Sequence, residues 1–328
     1  MALLPRLLVL PLMLFISCSF KLTGATDCGG KRIRTHLTVG KGKNVAFNTI
    51  QAAIDSIRQN NNKWVQINIH AGTYKEMINI SLDKPCIILK GAGSKNTIIQ
   101  YNPHQVNGDW NPTFSSSPPN VVVLGITIKN TFGVGSQAVA AAIFGDKSVF
   151  YNCRFYGFQD TLLDSNGRHY FKNCYIEGEV DFIFGSGQSY YEDCVINATG
   201  PISPPAFITA QYRDSENDTS GFIFRRGSVI GNSGNVKLGR AYGPYSRVIF
   251  YETHFSSAVT SERWNAWNFK GNESQFTYAA VKCTGPGTLT SQKDPLEKNL
   301  DASQLEQFSL SSFIDNDGWL SKLPISIL

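Results

Sequence analysis

One phrase, stated three times at nearly constant spacing, limits what this chain can fold into. Phe150-Tyr-Asn-Cys153-Arg-Phe155 returns as Phe171-Lys-Asn-Cys174-Tyr-Ile176 and again as Tyr191-Glu-Asp-Cys194-Val-Ile196, at steps of 21 and 20 residues. Self-similarity at this period marks a solenoid, in which each repeat buries its apolar face on its neighbours. Here the repeated unit is a strand. β-Branched and aromatic runs at residues 65–69, 87–89, 97–99, 121–128, 222–224, 227–230, 236–238 and 248–251 extend the pattern in both directions. Together they predict an all-β fold of stacked parallel coils. Apolar residues at Phe47, Ile50, Ile54 and Ile57 follow a helical period, so an amphipathic helix is expected to cap the N-terminal end.

The same register has a chemical consequence, because Asp160 lies seven residues after Cys153 and Asp181 seven after Cys174. Stacked as parallel strands, equivalent residues sit roughly 4.8 Å apart. Two carboxyl groups that close cannot both ionise freely, which suits a general acid/base and nucleophile pair. Stacked Asp pairs also occur as structural ladders, so the flanking residues must decide.

Residues 1–25 read as a secretory signal: Arg6, an apolar stretch from Leu7 to Phe20, then small residues. Residues 26–328 form one expected domain, without a composition shift to mark a second. Removing Arg6 and Lys21 lowers the formal charge from +5 to +3, a mild excess compatible with an acidic polymer. No basic run with interleaved aromatics argues for nucleic acid, and no second apolar stretch argues for a membrane. Six cysteines remain after Cys18 leaves, and three of them stand in the repeat column. Adjacent rungs permit either a Cys153–Cys174 or a Cys174–Cys194 bridge, but not both. Asn79, Asn197, Asn217 and Asn272 head N-x-[ST] sequons, the pattern of glycan acceptors in a secreted protein. The Pro- and Ser-rich residues 111–119 and 201–205, and the polar residues 212–220, interrupt the period and are expected as loops. After Trp264 the period is lost, and residues 300–320 are expected to fold back along the coils.

Several chemistries lack their residues. There is no G-x-S-x-G elbow, no Gly-rich phosphate loop and no metal-ligand spacing among the five histidines. An enzyme built from this chain works with carboxylates, and neither a metal nor a cofactor is expected. Gln159 precedes Asp160, and Gln137 stands in Gly135-Ser-Gln-Ala-Val-Ala140; carboxamides are donors for a developing oxyanion. Arg240 could hold one carboxylate ionised through two parallel bonds. Neighbouring strand residues face opposite ways, so Gln159 and Asp160 can share a site only at a bend or a strand end.

Seven motifs, in order, carry a resemblance: Gly72-Thr-Tyr-Lys-Glu76, Gln137-Ala-Val-Ala140, Gly157-Phe-Gln-Asp-Thr-Leu162, Gly167-Arg-His-Tyr170, Val180-Asp-Phe-Ile-Phe-Gly185, Leu238-Gly-Arg240 and Gly243-Pro-Tyr-Ser-Arg247. The chain resembles the plant pectinesterases (pectin methylesterases), of the group without an N-terminal inhibitor-like pro-region. The resemblance implies a right-handed parallel β-helix that hydrolyses methyl esters of pectin in the cell wall outside the cell, as a monomer. A proteinaceous inhibitor is an implied candidate partner. Carried over by position, Asp181 resembles the nucleophile, Asp160 the acid/base and Gln159 the transition-state stabiliser. Gln137, Arg240, Tyr242 and Thr113 resemble substrate-contacting or positioning residues. The Cys174–Cys194 pairing is also favoured by the resemblance.

The chain departs from the family at three places beside the site. Leu-Gly-Arg-Ala-Tyr242 carries a phenol where the family carries an indole, Ala141-Ala-Ile-Phe replaces Leu-Arg-Val-Ser, and Ser186 replaces Asn. These departures motivate one competing reading, a catalytically weakened pectin-binding relative. A pectin-depolymerising glycosidase also uses two close carboxyls, but oxyanion donors have no role at its oxocarbenium centre.

Overall fold

The computed structural model describes residues 28–42, 45–106, 111–200, 205–232, 234–289 and 293–327. The expected signal at residues 1–25 lies outside them. Three parallel sheets run side by side, one of ten strands and two of eight, and successive coils add one strand to each. One coil, for example, runs through Ser148–Tyr151, Arg154–Tyr156 and Leu162–Asp164 before returning to Arg168–Lys172 in the first sheet. This is a parallel β-helix, wound with the right-handed sense that parallel crossovers take.

The sequence phrase is the register of the ten-stranded sheet. Phe150 pairs with Phe171 and Phe171 with Tyr191, and their rings stack at 5.1 and 4.6 Å between centroids. Phe224 and Phe250 continue this ladder inside the coils. The residue before the cysteine column bends each coil through a left-handed conformation: Asn152, Asn173, Asp193, Arg226, Glu252 and Lys282 all have φ between 51° and 55°. Asn and Asp accept that geometry at little cost, which accounts for the Asn-Cys and Asp-Cys pairs of the repeat.

The column cysteines do not bridge. Cys153, Cys174 and Cys194 are free and buried, and their thiols face main-chain carbonyls of the preceding coil, Cys174 to Phe150 at 3.3 Å and Cys194 to Phe171 at 3.5 Å. Parallel stacking translates one thiol onto the next with the same orientation, whereas a disulfide needs two side chains turned toward each other. The expected Cys174–Cys194 pairing is therefore corrected to Cys28–Cys86, which ties the start of the first coil to the third strand of the ten-stranded sheet.

Helix α1 (Ile50–Asp55) sits at the N-terminal end, shorter than its apolar pattern suggests. Thr49 caps it, and the Glu76 carboxylate accepts from the main chain of Ile50 and Gln51. Residues 111–119 are not merely a loop: Phe114–Ser116 is a strand paired on both sides, with Phe114 buried in the core. Serine-rich composition hid it. The tail does fold back, with α2 (Ala302–Glu306) and α3 (Leu310–Phe313) leading to Trp319, Leu320 and Leu323. These cover Ile88, Val122, Val149 and Tyr170 on the outer face of the ten-stranded sheet. The coils also continue past the point where the period fades, through Trp264–Asn265 and Thr277–Val281.

Candidate active site

The site lies on the eight-stranded sheet whose short strands the sequence pattern least revealed, among them Ala141–Ile143, Leu162–Asp164, Val180–Gly185, Ala206–Gln211 and Val236–Ala241. Gln159 pairs with Val180 and Leu162 with Ile183, so Asp160 and Asp181 occupy equivalent positions on consecutive coils. Asp160 donates its main-chain N–H to Val180 at 3.0 Å. Both aspartates adopt left-handed backbone, φ 62° at Asp160 and 48° at Asp181. This bend removes the strict alternation of a regular strand, so the half-buried Gln159 and the buried Asp160 need not face opposite ways.

Arg240, from the strand Val236–Ala241, reaches across to Asp181. Its Nε donates to Oδ1 at 2.8 Å and its Nη2 to Oδ2, a bidentate clamp. The guanidinium face lies 3.8 Å from the centre of the Trp267 ring and 4.6 Å from that of Phe207. Tyr242 stacks on the other part of this group, 5.8 Å from Trp267, with Tyr212 edge-on at 6.0 Å. Beneath Tyr242, Val139, Ala142, Leu163, Phe184 and Ala210 form an apolar patch separate from the core inside the coils.

Burial pushes the Asp160 carboxyl well above its ordinary range, and the neighbouring Asp181 charge pushes it further; Arg240 and a hydrogen bond from Gln137 oppose this only in part. Burial also raises Asp181, but the two bonds and the charge of Arg240 pull it back. The two environments therefore separate the carboxyls, with Asp160 the more strongly raised of the two, the order that a proton donor and a nucleophile would require. Desolvation, more than mutual repulsion, is the larger cause at Asp160. Burial and both carboxylates raise the Tyr242 phenol, which stays protonated beside them.

Of the residues expected from sequence, Asp160, Asp181, Gln137, Arg240 and Tyr242 converge, with Gln159 on the adjoining bridge. Gln137 differs in detail, since its carboxamide donates to Asp160. Thr113 does not join them: it is fully buried, and its hydroxyl donates to the Lys129 carbonyl at 3.4 Å, leaving no surface for a ligand. Trp267, Phe207 and Tyr212 were not foreseen. Phe207 lies 26 to 27 residues along from its partner coil, and Trp267 beyond the visible period, so neither falls into register on the page. Among the described residues, no three His, Cys, Asp or Glu side chains group as a metal site.

A parallel β-helix with paired carboxyls on one sheet, one clamped by arginine and the other bonded by a carboxamide, suits a hydrolase that works through carboxyl groups. Comparison with known proteins narrows the class. The chain matches the family described as Pectinesterase over residues 36–317. It is 45% identical over 294 residues to probable pectinesterase 55 of Arabidopsis thaliana, covering 86% of this chain and 88% of that one. It is 44% identical over 289 residues to putative pectinesterase 10 of the same plant, covering 85% of each. The solved pectin methylesterase from carrot superposes with a TM-score of 0.84 at 25% identity, covering 90% of this chain and 98% of that one. This chain belongs to the pectinesterase family.

Proposed function

We propose that this chain hydrolyses the methyl esters of pectin to pectate and methanol through an aspartyl acyl-enzyme, modifying the cell wall after secretion. The observation that carries the mechanism is the bidentate Arg240–Asp181 pair one coil away from Asp160, whose buried carboxyl is raised well above its ordinary range. The Asp181 carboxylate attacks the C6 carbonyl carbon of a methylated galacturonate, and negative charge gathers on the carbonyl oxygen. The Gln159 carboxamide receives it, joined by the second N–H of Gln137, whose first is given to Asp160. Collapse breaks the bond to the methoxy oxygen, which takes the proton of Asp160 and leaves as methanol. Asp160, now a carboxylate, removes a proton from water; the hydroxide attacks the mixed anhydride, releasing the free galacturonate and restoring both aspartates.

The aromatic wall of Tyr242, Trp267 and Tyr212 supports binding of a sugar chain across the site. Residues 26–328 act as one catalytic domain and as a monomer, open to a proteinaceous inhibitor at the same face. Asn79 and Asn217 are the exposed sequons and the preferred glycan sites. Asn197 is half-buried, its Nδ2 already donating to Tyr175 Oη at 2.8 Å and Glu177 Oε2 at 3.0 Å, and Asn272 is half-buried too. Methanol release from highly methylated pectin, with unchanged polymer length, tests the reading. Near-normal release by a folded Asp181→Asn variant would refute it, and shortened polymer would favour a depolymerase.

A further inference from the structure

Charge is divided along this chain in a way the catalytic chemistry does not use. Residues 28–63 hold Lys31, Arg32, Arg34, Lys41, Lys43, Arg58 and Lys63 against Asp55 alone, a balance of +6 where the whole chain carries +5. The ion pairs lie elsewhere along the chain. All eleven among the described residues join side chains at or beyond Asp146, so Arg34, Arg58 and Lys63 make no ion pair among them.

Three of these cations, Arg34, Arg58 and Lys63, meet at one end of the solenoid. The strand Ile33–Val39 is the edge of the ten-stranded sheet, and a register shift at Arg34 breaks its pleat, leaving Arg34, Thr35 and His36 all exposed. Between this strand and the residues following α1 lies a cleft of about 280 Å³. Leu37, Ile57 and Val65 form its apolar floor, and Arg34, Arg58 and Lys63 its rim; no carboxylate lines it.

We propose that this cleft binds the free carboxylates of de-esterified galacturonan, at a site separate from the catalytic groove. The proposal rests on the pectinesterase reading, because that reaction turns neutral esters into a row of negative charges on one polymer. Arg240, the guanidinium at the catalytic carboxyls, is committed to Asp181 and cannot also hold product carboxylates. The end of the solenoid offers what the groove does not: several uncompensated cations within reach of one another, which attract a polyanion more than any single sugar acid. The apolar floor accepts the C–H face of a pyranose, and the Thr35 hydroxyl lines the cleft beside Ser56, whose oxygen can still accept while its proton goes to the Ala53 carbonyl. The chain would thereby stay on polymer it has already demethylated.

The test compares two triple variants that remove equal charge. Arg34→Gln/Arg58→Gln/Lys63→Gln neutralises the cleft, and Lys270→Gln/Lys282→Gln/Lys293→Gln neutralises exposed cations at the opposite end. Binding of polygalacturonate at low ionic strength and methanol release from short methylated galacturonate oligomers are measured for both. The cleft variant should bind polygalacturonate roughly tenfold more weakly, with the difference closing as salt is raised, while methanol release stays unchanged. The control variant should keep most of its binding. Equal losses in both variants, or full binding by the cleft variant, would overturn the site. Failure of the unaltered chain to release methanol would overturn the catalytic reading instead, and the binding comparison would still decide the cleft.

Discussion

The guanidinium of Arg240 lies 3.8 Å above the ring of Trp267 while two of its nitrogens hold Asp181, so an aromatic ring fixes the residue that fixes this carboxylate. A planar cation between a carboxylate and an indole has little freedom to rotate. Trp267→Ala should leave the Arg240 bonds formed only part of the time, lowering kcat about tenfold, whereas Trp267→Phe should keep most of the rate. Steady-state methanol release checks this, and equal rates for the Ala and Phe variants would count against a positioning role.

Arg240→Lys preserves the charge but not the fork. Burial already raises Asp181, and removing one of its two donors should raise it further. If Asp181 is the nucleophile, as proposed, the acid limb of the pH–rate profile should move to higher pH, and the maximal rate should fall on the order of a hundredfold. A profile that only scales down without shifting would assign Arg240 to substrate binding alone.

Asp160 has a consequence for stability as well as for catalysis. Its folded carboxyl titrates well above the unfolded one, near 3.9, so the folded state binds the extra proton between those two values. Stability therefore falls as pH rises through this window and stays low above it. Asp160→Asn removes the penalty: near neutral pH its thermal midpoint should exceed that of the unaltered chain by roughly 2 °C or more, and the gain should vanish toward pH 3. An equal gain at both pH values would mean that repacking, and not ionisation, is responsible.

The coil architecture and the aspartate pair were legible because both live in the repeat. A period of about 21 residues survives in sequence wherever successive coils have equal length, and Cys153, Cys174 and Cys194 mark three such coils. The aromatic clamp was not legible, because residues 186–206 and 242–264 vary the coil length and carry Phe207 and Trp267 out of register. The strand Phe114–Ser116 was hidden for another reason: in a strand of three residues, one inward Phe and two serines give no alternation to read. The cysteine pairing went wrong because spacing reports which residues stack, whereas a disulfide depends on which way each side chain turns.

Lys282 ends the column of left-handed residues, its ammonium 5.7 Å from the Tyr251 ring and in no ion pair among the described residues. Unlike Asn or Gly, a long side chain at φ 51° is strained. Lys282→Gly should stabilise the fold by about 1 kcal/mol, after the greater freedom of glycine in the unfolded chain is allowed for. Asn173→Ala, at the equivalent bend of the second cysteine rung, should destabilise by a similar amount. Urea unfolding of the two variants gives both numbers, and a loss of stability in Lys282→Gly would show that its stem packs usefully on the coil.

The thiols give the sharpest test of the corrected pairing. Cys28 and Cys86 close a loop with a sequence separation of 58, long enough that the cross-link is worth on the order of 4 kcal/mol by restricting the unfolded chain. Cys153, Cys174, Cys194 and Cys283 remain thiols, the first three buried and Cys283 half-buried, with its thiol pushed up to about 11 by burial. A chain beginning after residue 25, denatured without reductant, should therefore react with four equivalents of a thiol reagent; a Cys174–Cys194 bridge alongside Cys28–Cys86 would leave two. In the folded chain, the high pKa of Cys283 and the burial of the column should keep labelling slow at neutral pH. Cys28→Ser/Cys86→Ser should lower stability, whereas Cys174→Ser should act through the core alone, by placing a hydroxyl inside the ladder of Phe150, Phe171 and Tyr191.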